Sequence, residues 1–67
     1  MKIDININGA SQKLAATNLF DALLELGFVD ATVATALNEE FVPTTLRKTC
    51  TLSNGDRLEV LAPMQGG

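Results

Sequence analysis

The sequence has no histidine, no tryptophan, no tyrosine and one cysteine in 67 residues. Without histidine there is no side chain whose ordinary pKa suits proton transfer near neutrality, and Cys50 has no imidazole to activate it as a nucleophile. A single thiol excludes an intramolecular disulfide and a thiolate metal cluster, which fits a reducing cytosol. So short a chain also has little room to enclose a ligand pocket, so an enzyme in its own right is disfavoured. Long apolar runs are missing too. No stretch approaches the ~20 residues of a membrane span, and Met1-Lys2-Ile3-Asp4-Ile5-Asn6 alternates polar with apolar where a signal peptide needs an apolar core. A soluble cytoplasmic protein is expected. Basic residues are few: Lys2, Lys13, Arg47, Lys48 and Arg57 are scattered among eight acids, for a net charge of −3. Because nucleic-acid binders gather Lys and Arg on one face, the expectation is no nucleic acid and no membrane, but a protein partner with a basic docking surface.

What is present argues for a packed globule. Hydrophobic residues make up 46% of the chain against 19% charged, and the length allows one domain near the lower limit for a core-stabilised fold. Aliphatic residues with Phe20, Phe28 and Phe41 must fill that core.

Ile3, Ile5 and Ile7 alternate with Asp4, Asn6 and Asn8, the pattern of a strand with one buried face. Asn8-Gly9 is a strong hairpin signal, since both residues tolerate the positive φ of a type I′ turn. Ala10 to Leu14 should return antiparallel. A two-residue loop sets Asp4 opposite Lys13 and Ile3 opposite Leu14 but puts Gln12 on the face of Ile5, which leaves the loop length open. Thr17 or Asn18 caps a helix, with Asp21 in its first turn, and Gly27 stops it. Leu19, Ala22, Leu23 and Leu26 form the stripe that faces the sheet. Phe20 and Leu24 flank it, either widening the core face or touching a neighbouring loop, or else forming an exposed partner-binding ridge.

After a connector over 28–32, Val33 to Leu37 reads as a strand, Asn38-Glu39 as a turn, and Glu40-Phe41-Val42 as a short strand stopped by Pro43. Proline cannot donate to a ladder, so that strand is expected at an edge. Thr44 to Lys48 is a polar turn or single helical turn, Thr49 to Leu52 a weak strand candidate, and Ser53-Asn54-Gly55-Asp56 a turn. Leu58 to Ala62 forms the last strand, with Leu58, Val60 and Ala62 on one face and Leu61 on the other. The order is ββαβββ: an α+β domain with a mixed sheet on one helix, the last strand central beside the first. Residues 1–62 make the domain. Residues 63–67, Pro63-Met64-Gln65-Gly66-Gly67, are expected to form an uncharged, flexible tail. Two glycines at its end can lie extended in a channel too narrow for a side chain, so the tail can be threaded into another protein's active site; the plain alternative is an ordinary loose terminus.

Ala36-Leu37-Asn38, Val42-Pro43, Asn54-Gly55-Asp56-Arg57 leading into Leu58-Glu59-Val60, and the ending Met64-Gln65-Gly66-Gly67 resemble the ThiS family, small sulfur carriers of thiamine thiazole biosynthesis. The resemblance runs over nearly the whole chain. It implies a ubiquitin-like β-grasp fold and a carrier that is a substrate of other enzymes. An E1-like adenylating enzyme uses ATP to activate the carboxylate of Gly67, sulfur from a donor such as a cysteine desulfurase replaces the adenylate, and the thiocarboxylate passes to thiazole synthase. No cofactor and no metal are expected on the carrier itself. Gly66, Gln65 and Met64 would line the threaded part of the tail, while Leu61 with Met64, and more weakly Phe41, would anchor the activating enzyme.

The chemistry is consistent with the residues on their own terms. A terminal carboxylate has a pKa near 3.5, so at neutral pH it is ionised and a poor acyl donor until made into a mixed anhydride. The chain carries no glycine-rich phosphate loop with which to activate itself. Two positions depart from the family pattern. Glu39 stands where glycine is usual after Asn38, so a different turn type is expected there, and Thr44 stands where arginine is common, which removes a docking charge. Rival readings are the small subunit of molybdopterin synthase, another ubiquitin-like sulfur carrier or modifier, and a β-grasp interaction module whose terminal glycines do nothing.

Overall fold

The computed structural model describes residues 2–28 and 32–61. Five strands and one α-helix follow in the order β1 (Ile3–Ile7), β2 (Ala10–Leu14), α1 (Leu19–Glu25), β3 (Ala34–Leu37), β4 (Glu40–Val42) and β5 (Arg57–Leu61), with a 3₁₀ helix at Thr44–Thr49 between the last two strands. The sheet order is β2-β1-β5-β3-β4, so the last strand lies at its centre. β5 runs parallel to β1 and antiparallel to β3. The ββαβββ order and the central last strand are as the sequence predicts. Thr49–Leu52 is not a strand; only an isolated bridge joins Thr51 to Asn18.

Each element has a local cause. The β1–β2 register sets Ile3 opposite Leu14 and Asp4 opposite Lys13, which settles the loop at two residues. Asn8 and Gly9 have φ of 50° and 91°, the positive pair of a type I′ turn. Gln12 opposite Ile5 costs nothing, because it lies exposed on the outermost strand. At the helix start Asn18 Oδ1 accepts the Asp21 N–H at 2.8 Å. At its end Gly27, at φ 94°, lets the Phe28 N–H reach the Leu23 carbonyl and its own N–H the Leu24 carbonyl, a Schellman closure.

One face of the sheet is buried under the helix. Ile5, Ile7, Leu14, Val42, Leu58 and Val60 from the strands meet Leu19, Ala22 and Leu23 from α1, with Leu52 from the loop before β5. Leu26 is half-buried beside them, completing the predicted stripe. Phe20 and Leu24 are 36% and 44% exposed, and the Lys48 ammonium lies 4.9 Å from the Phe20 ring centre, so the contact with a neighbouring segment holds for Phe20.

The Asn38-Glu39 turn corrects an expectation. Asn38 and Glu39 have φ of 51° and 73°, and Leu37 pairs with Glu40 across them, so this is again a two-residue turn with both residues left-handed. Glutamate has taken the glycine position without changing the turn. The reason lies in Asn38, whose N–H donates to the Arg57 carbonyl at 2.7 Å while its side chain accepts the Arg57 N–H at 3.0 Å. These bonds to the central strand hold the turn and impose its backbone on Glu39.

Candidate functional site

Alternation along the strands sends Leu58 and Val60 into the core and Arg57, Glu59 and Leu61 to the opposite, outer face. The register then places the remaining residues of that face. Ala34 lies opposite Leu61, Ala36 opposite Glu59, and Phe41 opposite Ala36. Phe41 is 70% exposed and Leu61 61% exposed, the two most exposed large apolar residues described. Between them the alanines of β3 form a low floor. Two strand spacings of ~4.8 Å and two residues of ~3.3 Å put Phe41 and Leu61 roughly 12 Å apart. The two apolar residues singled out in the sequence as docking candidates thus share one face. The other candidates, Met64, Gln65, Gly66 and Gly67, lie outside the described residues, as does Ala62 of the predicted last strand.

Next to this apolar strip lies an open concavity of about 220 Å³ lined by Asn6, Asn8, Gly9, Glu39, Arg57, Leu58 and Glu59. Its one cation, Arg57, approaches Glu39 at 3.8 Å in a solvent-exposed pair worth little on its own. Glu59 lies on the same face, two residues from Leu61 along β5 and across Ala36 from Phe41. The surface therefore offers an apolar strip with an acidic border. Among the described residues no three His, Cys, Asp or Glu side chains converge as metal ligands, and no helix is long and apolar enough to cross a membrane.

Cys50 follows the 3₁₀ helix on the other side of the sheet and is half-buried. Burial, with a smaller contribution from the Asp56 carboxylate, pushes its thiol above the ordinary value. The thiol form is favoured, the opposite of what a nucleophile needs.

Arg47 reads in the sequence as one scattered cation, yet in the structure it is only 8% exposed. Its Nε donates to Thr35 Oγ1 at 3.2 Å and its Nη2 to the Val33 carbonyl at 2.6 Å, while the Thr35 hydroxyl donates to the Val42 carbonyl at 2.9 Å. In the alternating β3–β4 ladder the next donor to Val33 would be the backbone of Thr44, but Pro43 has already turned the chain into the 3₁₀ helix. The guanidinium supplies the missing donor. The available signal was the three-residue period of a 3₁₀ helix, which puts Arg47 and Cys50 on one inward side.

A mixed sheet of this order, laid on one helix with its last strand central, defines a ubiquitin-like β-grasp domain. The ThiS family model matches residues 5–67, and the chain belongs to the ThiS family. Its structure is similar to the crystal structure of a thiamine biosynthesis protein (ThiS) from Geobacter metallireducens, with a TM-score of 0.83 and 26% sequence identity over 97% of this chain and 100% of that one. A search of the curated proteins found no match.

Proposed function

We propose that this protein is a cytoplasmic sulfur carrier of thiamine biosynthesis, with the carboxylate of Gly67 as its working group. The observation that supports this reading most is the match to the ThiS family through residue 67, on a domain whose central strand ends at Leu61, six residues before Gly67 in the chain. An E1-like enzyme adenylates the carboxylate with ATP and releases pyrophosphate. Sulfide then displaces AMP, leaving a thiocarboxylate on Gly67. Where the donor is a desulfurase persulfide, AMP leaves as an acyl disulfide forms, and a thiol reduces that disulfide to the thiocarboxylate. Thiazole synthase receives that sulfur. The carrier binds no cofactor and catalyses none of these steps, since an ionised carboxylate is activated only from outside.

In this reading the outer sheet face docks the activating enzyme. Leu61 and Phe41 supply the apolar contacts, and Glu59 at their border favours a partner surface rich in Lys or Arg. The test is ATP–pyrophosphate exchange by the adenylating enzyme with wild-type and Leu61→Asp carriers. Leu61 is exposed, so the variant should unfold at the same denaturant concentration, within about 0.5 kcal/mol, while its KM rises on the order of 10-fold. An unchanged KM in the folded variant would remove Leu61 from the docking surface. Loss of exchange on deleting Gly67 is expected as well, and exchange that survives the deletion would contradict the carrier reading itself.

A further inference from the structure

Asn8 and Asn38 occupy the same place in the two hairpins. Each opens a two-residue turn with left-handed backbone, and each sends its side chain to β5. Asn38 holds the strand's beginning: its Oδ1 accepts the Arg57 N–H at 3.0 Å and its Nδ2 donates to Asp56 Oδ1 at 3.1 Å. Asn8 holds the other end. Its Oδ1 accepts the Val60 N–H at 2.9 Å, and its Nδ2 donates to the Val60 carbonyl at 3.1 Å.

A primary amide carries an acceptor and a donor side by side, the same pair a neighbouring strand presents. Backbone pairing of β1 with β5 reaches Ile7 opposite Leu58, and the Asn8 N–H still donates to the Leu58 carbonyl at 3.0 Å. There β1 turns away into its hairpin. The Asn8 side chain extends the parallel ladder to Val60, one residue before Leu61.

We propose that Asn8 is a positioning residue for the activation of the Gly67 carboxylate: by fastening Val60 it fixes the root from which residues 62–67 leave the domain. The proposal rests on the carrier reading above. From Leu61 to Gly67 is seven residues, at most roughly 25 Å of extended chain at ~3.6 Å each, so the fastened root sets how far and in which direction the carboxylate reaches once the outer face is docked. β3 still pairs Ala34 with Leu61, so releasing Val60 frees only the β1 side of the strand's end, and the origin of the last residues can shift without detaching. Reactions that depend on placing one atom respond steeply to such freedom, with a shift of ~1 Å able to cost on the order of 10²-fold in rate.

The test compares Asn8→Gly with Asn38→Gly in the full chain. Glycine keeps the positive φ at both turns and removes one amide from each end of β5. Amide hydrogen exchange reads the fastening, and kcat and KM for ATP–pyrophosphate exchange with the E1-like enzyme read the positioning. Asn8→Gly should raise exchange at Val60 at least ~10-fold while Leu23 in the helix stays protected, and should lower kcat on the order of 10-fold with KM within about twofold. Asn38→Gly, although it also loosens β5, should leave kcat unchanged. Asn8→Asp, which keeps the acceptor for the Val60 N–H but not the donor, should fall between wild type and Asn8→Gly. Unaltered Val60 exchange in folded Asn8→Gly, or an equal kcat loss in Asn38→Gly, overturns the proposal. If an enzyme active on its own carrier fails to activate the wild-type chain, the carrier reading falls and the positioning role with it, whereas the exchange result still reports on the fastening alone.

Discussion

Asn8-Gly9 and Asn38-Glu39 turn the chain in the same way with different second residues. Glycine meets φ 91° at no steric cost, whereas Glu39 at φ 73° carries a Cβ into the left-handed region, a strain of roughly 1–2 kcal/mol. Glycine's greater freedom in the unfolded chain returns roughly 0.4–1 kcal/mol of that. The exposed 3.8 Å pair with Arg57 adds little on the other side. Glu39→Gly should therefore stabilise the domain by about 0.5–1 kcal/mol, or roughly 2–8 °C in Tm for a domain this small, read by thermal circular dichroism. A lower Tm would mean that the Glu39 side chain does more than its one ion pair suggests. Cys50 makes a second prediction at this scale. With its pKa raised by burial and by Asp56, it should alkylate more slowly than a free thiol at neutral pH and speed up only under alkaline conditions. The raised pKa also sets a sign for stability. Its contribution is complete below the pKa of the unfolded thiol and is lost as pH rises through the folded value, and Cys50→Ser should remove that part of the pH dependence in denaturation curves.

At the scale of elements, the parts with local causes were legible in the sequence: the β1–β2 hairpin from Asn8-Gly9, the helix from Asn18 and Gly27, the edge strand from Pro43. The central place of β5 beside β1 was also expected, from the order of the elements around a single helix. The parts that were not legible depend on contacts between distant segments. The turn at Glu39 keeps its shape because Asn38 is bonded to Arg57 on another strand, nineteen residues away. Arg47 reads as a surface cation until the end of β4 leaves the Val33 carbonyl without a donor. Of the candidate site, the exposure of Leu61 followed from strand alternation, but its sharing a face with Phe41 required the β3–β4 and β3–β5 registers together. Arg47 carries the prediction here. Arg47→Ala should cost about 1–3 kcal/mol in urea denaturation, because it leaves the part-buried Val33 carbonyl without its donor. Arg47→Lys should recover only part, since an ammonium cannot span Thr35 and Val33 with the same planar fork. A loss below about 0.5 kcal/mol for Arg47→Ala would show that water or another group replaces the guanidinium.

Over the whole molecule the two sheet faces have separate tasks. The helix side closes the core, and the outer side carries an apolar strip with an acidic border and gives onto the segment that leads to Gly67. A domain that holds its last strand at the sheet centre, paired on both sides, presents the residues beyond that strand from a firm origin. Such an origin suits the carrier role proposed above. The most direct measurement is tandem mass spectrometry of the protein after incubation with ATP, sulfide and the E1-like adenylating enzyme, with thiol alkylation to mark new sulfur. Localisation is essential, because oxidation of Met64 adds nearly the mass of an oxygen-to-sulfur exchange, and Cys50 is itself a thiol. The predicted result is one oxygen replaced by sulfur on the Gly67 carboxylate, dependent on ATP and absent when Gly67 is deleted. An unmodified Gly67, under conditions in which the same enzyme converts its own carrier, would contradict the carrier role.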